Sequence, residues 1–255
     1  MRRAESPARN QSGSARQSPP GRPAPRRTGL VLATIVTALI VVGVLVAISA
    51  TGGDREGGAP AGSALAGVAA VRAELAGVQS SGARLGPADA PIRIVEYADL
   101  QCPFCARAAE GLMPELIDRW VRPGRASLTF RALTFVGPDS RRGALAVLAA
   151  ARQNRLWPLA ALLYRNQGAE SSGWLSESII DRAADAAGGI DRGRLRADMA
   201  SPETEAALER DAAAGEADGV RSTPFFVVSG PGGRRLVGGA QELSSIEAAI
   251  REVSP

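Results

Sequence analysis

The hydrophobic pattern changes character three times along this chain. Residues 1–28 are rich in Pro, Ser and Arg and show no apolar periodicity, so a disordered tail is expected there. Residues 30–50 are then apolar apart from Thr34, Thr37, Gly43 and Ser49, and carry no charge. At helical rise such a run spans a bilayer core of about 30 Å, which predicts one transmembrane helix over 29–50. The apolar core of a cleaved signal peptide would be shorter, roughly 7–15 residues. The exit Ala47-Ile48-Ser49-Ala50 also fits a cleavage site poorly, so an uncleaved anchor is favoured over a cleaved signal.

Beyond the anchor, residues 51–81 read as a Gly/Ala/Pro linker. Within it Leu65, Val68, Val71, Leu75 and Val78 recur at helical spacing, suggesting an amphipathic helix that packs on the following domain or serves as a stalk. Residues 80–91 form a turn-rich approach, with Gly86-Pro87 and Ala90-Pro91 as breakers. Strands are predicted over 92–97 and 127–133, flanking a helix that runs to Val121 and should be disturbed near Pro114. Residues 139–217 are helical in pattern, with segments over 140–154, 156–166, 176–187, 192–199 and 202–217. Two strands, 225–229 and 234–237, flank the turn Gly230-Pro231-Gly232-Gly233, and a helix over 244–253 closes the chain. The order is therefore strand, helix, strand, a helical block, strand, strand, helix, the pattern of an α/β domain.

Charge refines the picture. The tail holds seven arginines and one acid, Glu5, a net +6, whereas the whole chain is +4. The remainder is therefore net −2, and the basic balance belongs to the tail. A nucleic-acid partner is not expected. Arginines before an apolar span stay in the cytoplasm, which places the C-terminal domain outside it.

The candidate chemistry is Cys102-Pro103-Phe104-Cys105, which uses both cysteines of the chain. A strand before the pair and a helix after it place Cys102 at a helix N-terminus. There, unpaired N–H groups and the helix dipole favour the thiolate, the reactive form. Cys105 lies one turn on, within reach of a mixed disulfide at Cys102. A zinc site would need further ligands, and the chain has no His and no third Cys. A structural disulfide this tight would stabilise little, and a pair of inert buried thiols remains the plain alternative. Outside the cytoplasm disulfides persist, which suits a redox pair.

Three separated segments carry a resemblance. The stretch from Ile94 through Glu96-Tyr97-Ala98-Asp99-Leu100-Gln101 to Cys105 is similar to the strand-to-active-site stretch of DsbA-like thiol–disulfide oxidoreductases. Gly219-Val220-Arg221-Ser222-Thr223-Pro224-Phe225-Phe226-Val227 resembles their cis-proline segment. Leu156-Trp157 followed by Leu163-Tyr164-Arg165-Asn166-Gln167 resembles a helix of their insertion. The resemblance implies an α/β, thioredoxin-like fold over 82–255, a central mixed sheet flanked by helices with a helical insertion at about 139–217. It makes Cys102 the nucleophile and Cys105 the resolving thiol, with Pro103 and Phe104 shaping the site. It also implies that Thr223 and Pro224 dock the client backbone. Glu96 matches a buried acid of the family that could take the proton of Cys105; a strand-end carboxylate that is solvated, or paired with Arg93 or Arg131, is the structural alternative. Strongly oxidising members carry His where this chain has Phe104, and commonly Val where it has Thr223. A less acidic Cys102 and a lower potential are expected from those departures.

No cofactor, metal or nucleotide is implied. The implied partners are exported proteins with thiols or disulfides and a membrane redox partner. An oxidase is favoured; a reductase or isomerase on the same fold, and a non-catalytic peptide-binding chaperone of the envelope, are the alternatives.

Overall fold

The computed structural model describes residues 64–239 and 242–254. The expected tail, the transmembrane helix and residues 51–63 of the linker lie outside the described residues. Among the described residues no helix is long and apolar enough to cross a membrane.

Helix α1 (Val68–Leu75) leads in, and Val71 at its centre is buried in the main core. Glu74 on the same helix pairs with Arg165 at 3.0 Å, so α1 is fastened to the domain by packing and an ion pair. A small hairpin follows, β1 (Ser80–Ser81) and β2 (Arg84–Leu85), where only turns were expected. Strands of two residues leave no alternation to read. Gly82 supplies the left-handed turn residue at φ 59°.

Strand β3 (Ile92–Ala98) is the centre of the sheet. It runs parallel to β4 (Ala126–Ala132) on one side and antiparallel to β5 (Phe225–Gly230) on the other. Strand β6 (Gly233–Gly238) pairs with β5 across the Pro231-Gly232 turn. The full order is β1-β2-β4-β3-β5-β6, a mixed sheet as expected.

Helix α2 joins β3 to β4 over residues 103–121. It is α-helical at Pro103–Arg107 and Met113–Leu116, and π-helical at Ala108–Leu112 and Ile117–Val121. The first π segment directly precedes Pro114. Proline cannot donate its N–H, and its ring crowds the carbonyl one turn back; a wider turn relieves both problems.

The insertion consists of α3 (Pro138–Ala151), α4 (Leu156–Arg165), α5 (Glu177–Ala187), α6 (Arg192–Met199) and α7 (Pro202–Ala217). The caps are visible in the sequence: Ser176, Asp191 and Ser201 each accept an N–H from the first turn of their helix. Helix α8 (Leu243–Val253) closes the fold.

The two faces of β3 have different surroundings. Ile92, Ile94 and Ala98 belong to the large core, with Leu116, Ile117, Trp157, Ile246 and Ile250. Tyr97 faces the other way, into a small cluster with Leu133, Val220 and Val227. At Gly143 helix α3 packs against Leu100, two residues before the dithiol. A Cβ there would stand 2.9 Å from Leu100 Cβ and 2.8 Å from Leu175 Cδ1. Gly143→Ala should therefore cost about 1–3 kcal/mol by overpacking, measured by denaturant unfolding.

Candidate active site

The site is built where β3 stops and α2 starts. After Ala98 the chain turns, and Cys102 N–H donates to the Asp99 carbonyl at 3.0 Å. Cys102 is then the N-cap residue, in extended conformation, and Pro103 takes the first helical position, where a missing N–H costs nothing. Cys102 retains 5% of its surface and Cys105 none, so only Cys102 can be reached from solution. Both are free thiols.

Opposite them lies the segment after α7. The Thr223–Pro224 bond is cis, and the Thr223 carbonyl accepts from Cys102 Sγ at 3.3 Å. Pro224 is buried, with Thr223 partly open beside it. The structure thus brings Cys102, Cys105, Thr223 and Pro224 together from segments more than a hundred residues apart. Phe104 projects outward, 49% exposed, with the Arg107 guanidinium 4.3 Å above its ring.

The two thiols are driven apart electrostatically. The Cys105 thiol donating to the Cys102 sulfur is the largest influence lowering Cys102, to about 6 against the opposing cost of burial. Thr223 and the N–H groups of Cys105 and Phe104 contribute further. Cys105 is pushed well above the ordinary thiol range, first by burial and then by the sulfur of Cys102. Alkylation of reduced protein should therefore occur at Cys102 with a pH midpoint near 6 and leave Cys105 largely untouched. Peptide mapping across a pH series checks both points.

Glu96 lies on the core face of β3, opposite Phe130 on β4 and Phe226 on β5. It is 2% exposed, and its Oε1 has no hydrogen-bond partner among the described residues. Burial alone pushes its carboxyl up to about 8. The alternative pairing with Arg131 is not found. Strand alternation puts Arg131 opposite Tyr97 on the other face, where its guanidinium meets Asp211 at 3.2 Å. The Glu96 charge is close enough to contribute to raising Cys105.

Four residues without an assigned role in the sequence hold this geometry. Asp99 is fully buried; Oδ1 accepts Gln101 N–H at 2.8 Å, and Oδ2 accepts Phe135 and Val136 N–H at 2.7 and 3.0 Å. Gln101 reaches into the insertion, donating to Ser140 Oγ and accepting from Ser171 N–H. Tyr164 OH donates to the Asp99 carbonyl at 3.3 Å, and Gln167 Nε2 donates to the Leu100 and Cys102 carbonyls at 2.8 and 3.2 Å. Tyr164 and Gln167 stood inside a segment of the resemblance. A short acid three residues before a helix-capping cysteine was the one local signal for Asp99.

Comparison with known proteins agrees with this geometry. A thioredoxin family model matches residues 79–252. The chain is 26% identical over 149 residues to a probable disulfide bond formation protein D of Bacillus cereus, covering 57% of this chain and 69% of that one. Its fold is similar to that of oxidised BdbD from Bacillus subtilis, with a TM-score of 0.61 at 20% identity over 69% of this chain and 97% of that one. A thioredoxin-like oxidoreductase from Silicibacter pomeroyi gives a TM-score of 0.55 at 28% identity, over 66% and 89% of the two chains. Given that extended match, and a dithiol at the head of the helix that follows the central strand, this chain belongs to the thioredoxin family as a DsbA-like thiol–disulfide oxidoreductase.

Proposed function

We propose that this oxidoreductase is a membrane-anchored, extracytoplasmic oxidase of cysteines in exported proteins. The observation that carries the oxidising direction is the place of Cys102 at the N-cap of α2, where the neighbouring Cys105 thiol and backbone N–H groups favour its thiolate. A stabilised thiolate favours the reduced pair, and a pair whose reduced form is favoured has a disulfide that oxidises others readily. The relatives' name, disulfide bond formation protein, points the same way.

In the proposed cycle the Cys102–Cys105 disulfide is attacked at Cys102 by a client thiolate. A mixed disulfide forms and Cys105 leaves as a thiolate that takes up a proton. A second client thiolate then attacks the client sulfur of the mixed disulfide. The client leaves with a disulfide and the enzyme as a dithiol, two electrons richer. A membrane redox partner removes those electrons. In the reverse sense Cys105 resolves the mixed disulfide, and Glu96 exchanges its proton with Cys105 in both directions. Thr223, with its carbonyl 3.3 Å from Cys102 Sγ, and Pro224 form the edge along which an extended client segment would lie. Pro103 and Phe104 shape the approach. The proposed organisation is a cytoplasmic tail over 1–28, a transmembrane helix over 29–50, a linker over 51–81 and the catalytic domain over 82–255.

Trapping the redox state in cells with a mass-tagged alkylating reagent tests direction. The expected result is a mostly oxidised pair in membranes that resist carbonate washing, with the domain cleaved by external protease. A mostly reduced pair would assign a reductase or isomerase, and a pair that never changes state would leave a peptide-binding role. A soluble mature form beginning near Thr51 would replace the anchor with a cleaved signal.

A further inference from the structure

The carbonyls of the turn before the dithiol are claimed by the insertion. Asp99 O receives Tyr164 OH, while Leu100 O and Cys102 O both receive the Gln167 amide. Tyr164 lies in the last turn of α4 and Gln167 just past its C-cap Asn166, three residues apart, so one short piece of the insertion holds three carbonyls of this turn. The Cys102 carbonyl is also the acceptor of the first helical bond of α2, from Ala106 N–H at 3.1 Å. Gln167 therefore adds a second donor to the carbonyl of the reacting residue.

We propose that Gln167 is a positioning residue that holds the backbone of the nucleophile from the insertion and thereby sets the redox equilibrium of the Cys102–Cys105 pair. This role rests on the oxidoreductase function of that pair.

The chemistry follows from where the charge sits. In the reduced protein the thiolate at Cys102 faces the N–H groups of Phe104 and Cys105 at the head of α2. That alignment requires the N-cap conformation of Cys102, which its doubly bonded carbonyl fixes. The carbonyl is itself the nearest fixed negative dipole end on the same residue, and an amide N–H directed at it offsets that charge. Both effects favour the thiolate. In the disulfide, Cys102 carries no charge, so the same bond contributes less. Loss of the donor should then penalise the reduced form more than the oxidised one.

The test compares full-length wild type with Gln167→Met, which keeps length and removes the donor, and Gln167→Glu, which keeps shape and replaces the neutral donor with a negative carboxylate. Each is equilibrated in glutathione buffers, and the Cys102 thiolate is titrated by its ultraviolet absorbance. The Met variant should shift the equilibrium about tenfold toward the disulfide, equivalent to ~30 mV for this two-electron couple. Its thiolate should need a correspondingly higher pH to form, and the Glu variant should shift further in the same direction. A packing role alone would change melting temperature but neither of these equilibria. If either variant folds and keeps the wild-type equilibrium and thiolate titration, the positioning role is overturned while the function stands. If the wild-type pair itself forms no reversible disulfide, the oxidoreductase function fails and this role fails with it.

Discussion

Cys105→Ala should accumulate covalent complexes with client proteins, joined through Cys102, that collapse on reduction. Cys102 is the only one of the two sulfurs with exposed surface, and its thiol is lowered to about 6, so it forms the mixed disulfide. Without Cys105 no internal thiol can reverse that bond. Cys102→Ala removes the accessible nucleophile. Cys105 is fully buried and pushed well above the ordinary thiol range, first by burial, so it cannot substitute. Exchange with a peptide dithiol should then fall by roughly 10³-fold or more, as expected for a covalent nucleophile. Non-reducing gels of membranes from both variants read the difference directly. Equal trapping by the two would show that the assignment of roles is wrong.

Glu96→Gln should slow attack by Cys105 on the mixed disulfide by roughly 10²-fold, the lower range for general acid–base catalysis. The carboxyl is buried between Phe130 and Phe226, and burial pushes it up to about 8. Only its ionised form can accept the proton of Cys105. In wild type the resolution rate should therefore rise with pH through about 8 and level off above it. The Gln variant should lose that inflection, while attack of the Cys102 thiolate on client changes much less. Stopped-flow measurement of the two half-reactions across pH separates them. An unchanged resolution rate would make Glu96 a structural carboxylate.

The same substitution has a stability consequence of definite sign. A carboxyl raised in the folded protein binds its proton more tightly there than in the unfolded chain. Its contribution is fully present below the unfolded value near 4.5 and is lost as pH rises through about 8. The amide that replaces the carboxyl in the variant cannot titrate. The difference between Glu96→Gln and wild type should therefore move in favour of the variant as pH is raised from about 4 to about 9.

The sequence reveals much of this architecture because its signals are local. Apolar alternation marks β3 and β4, and Ser176, Asp191 and Ser201 mark helix starts that the structure keeps. The β1–β2 hairpin is not legible, since its two-residue strands are defined by pairing, β1 with β2 and β2 with β4, and not by any period of their own. Pro114 announces a disturbance in α2, but not that two π segments would carry it. In the site, the CPFC spacing is explicit, whereas Glu96 is legible only through the family resemblance. Its burial depends on which neighbours flank it across the sheet, and register decides that. The Gln167 contacts are the least legible of all. They end on backbone carbonyls, which every residue possesses, so no residue type at the other end announces them.

The decisive measurement titrates the purified full-length protein through a series of glutathione redox buffers, with acid quenching and mass-tagged alkylation after denaturation, so that the buried Cys105 is counted as well as Cys102. The expected result is one reversible two-electron transition in which Cys102 and Cys105 pass together from two alkylated thiols to none, with no stable intermediate. Two thiols that remain alkylatable across the whole range, or a Cys102 that stops at a glutathione adduct without engaging Cys105, would contradict it.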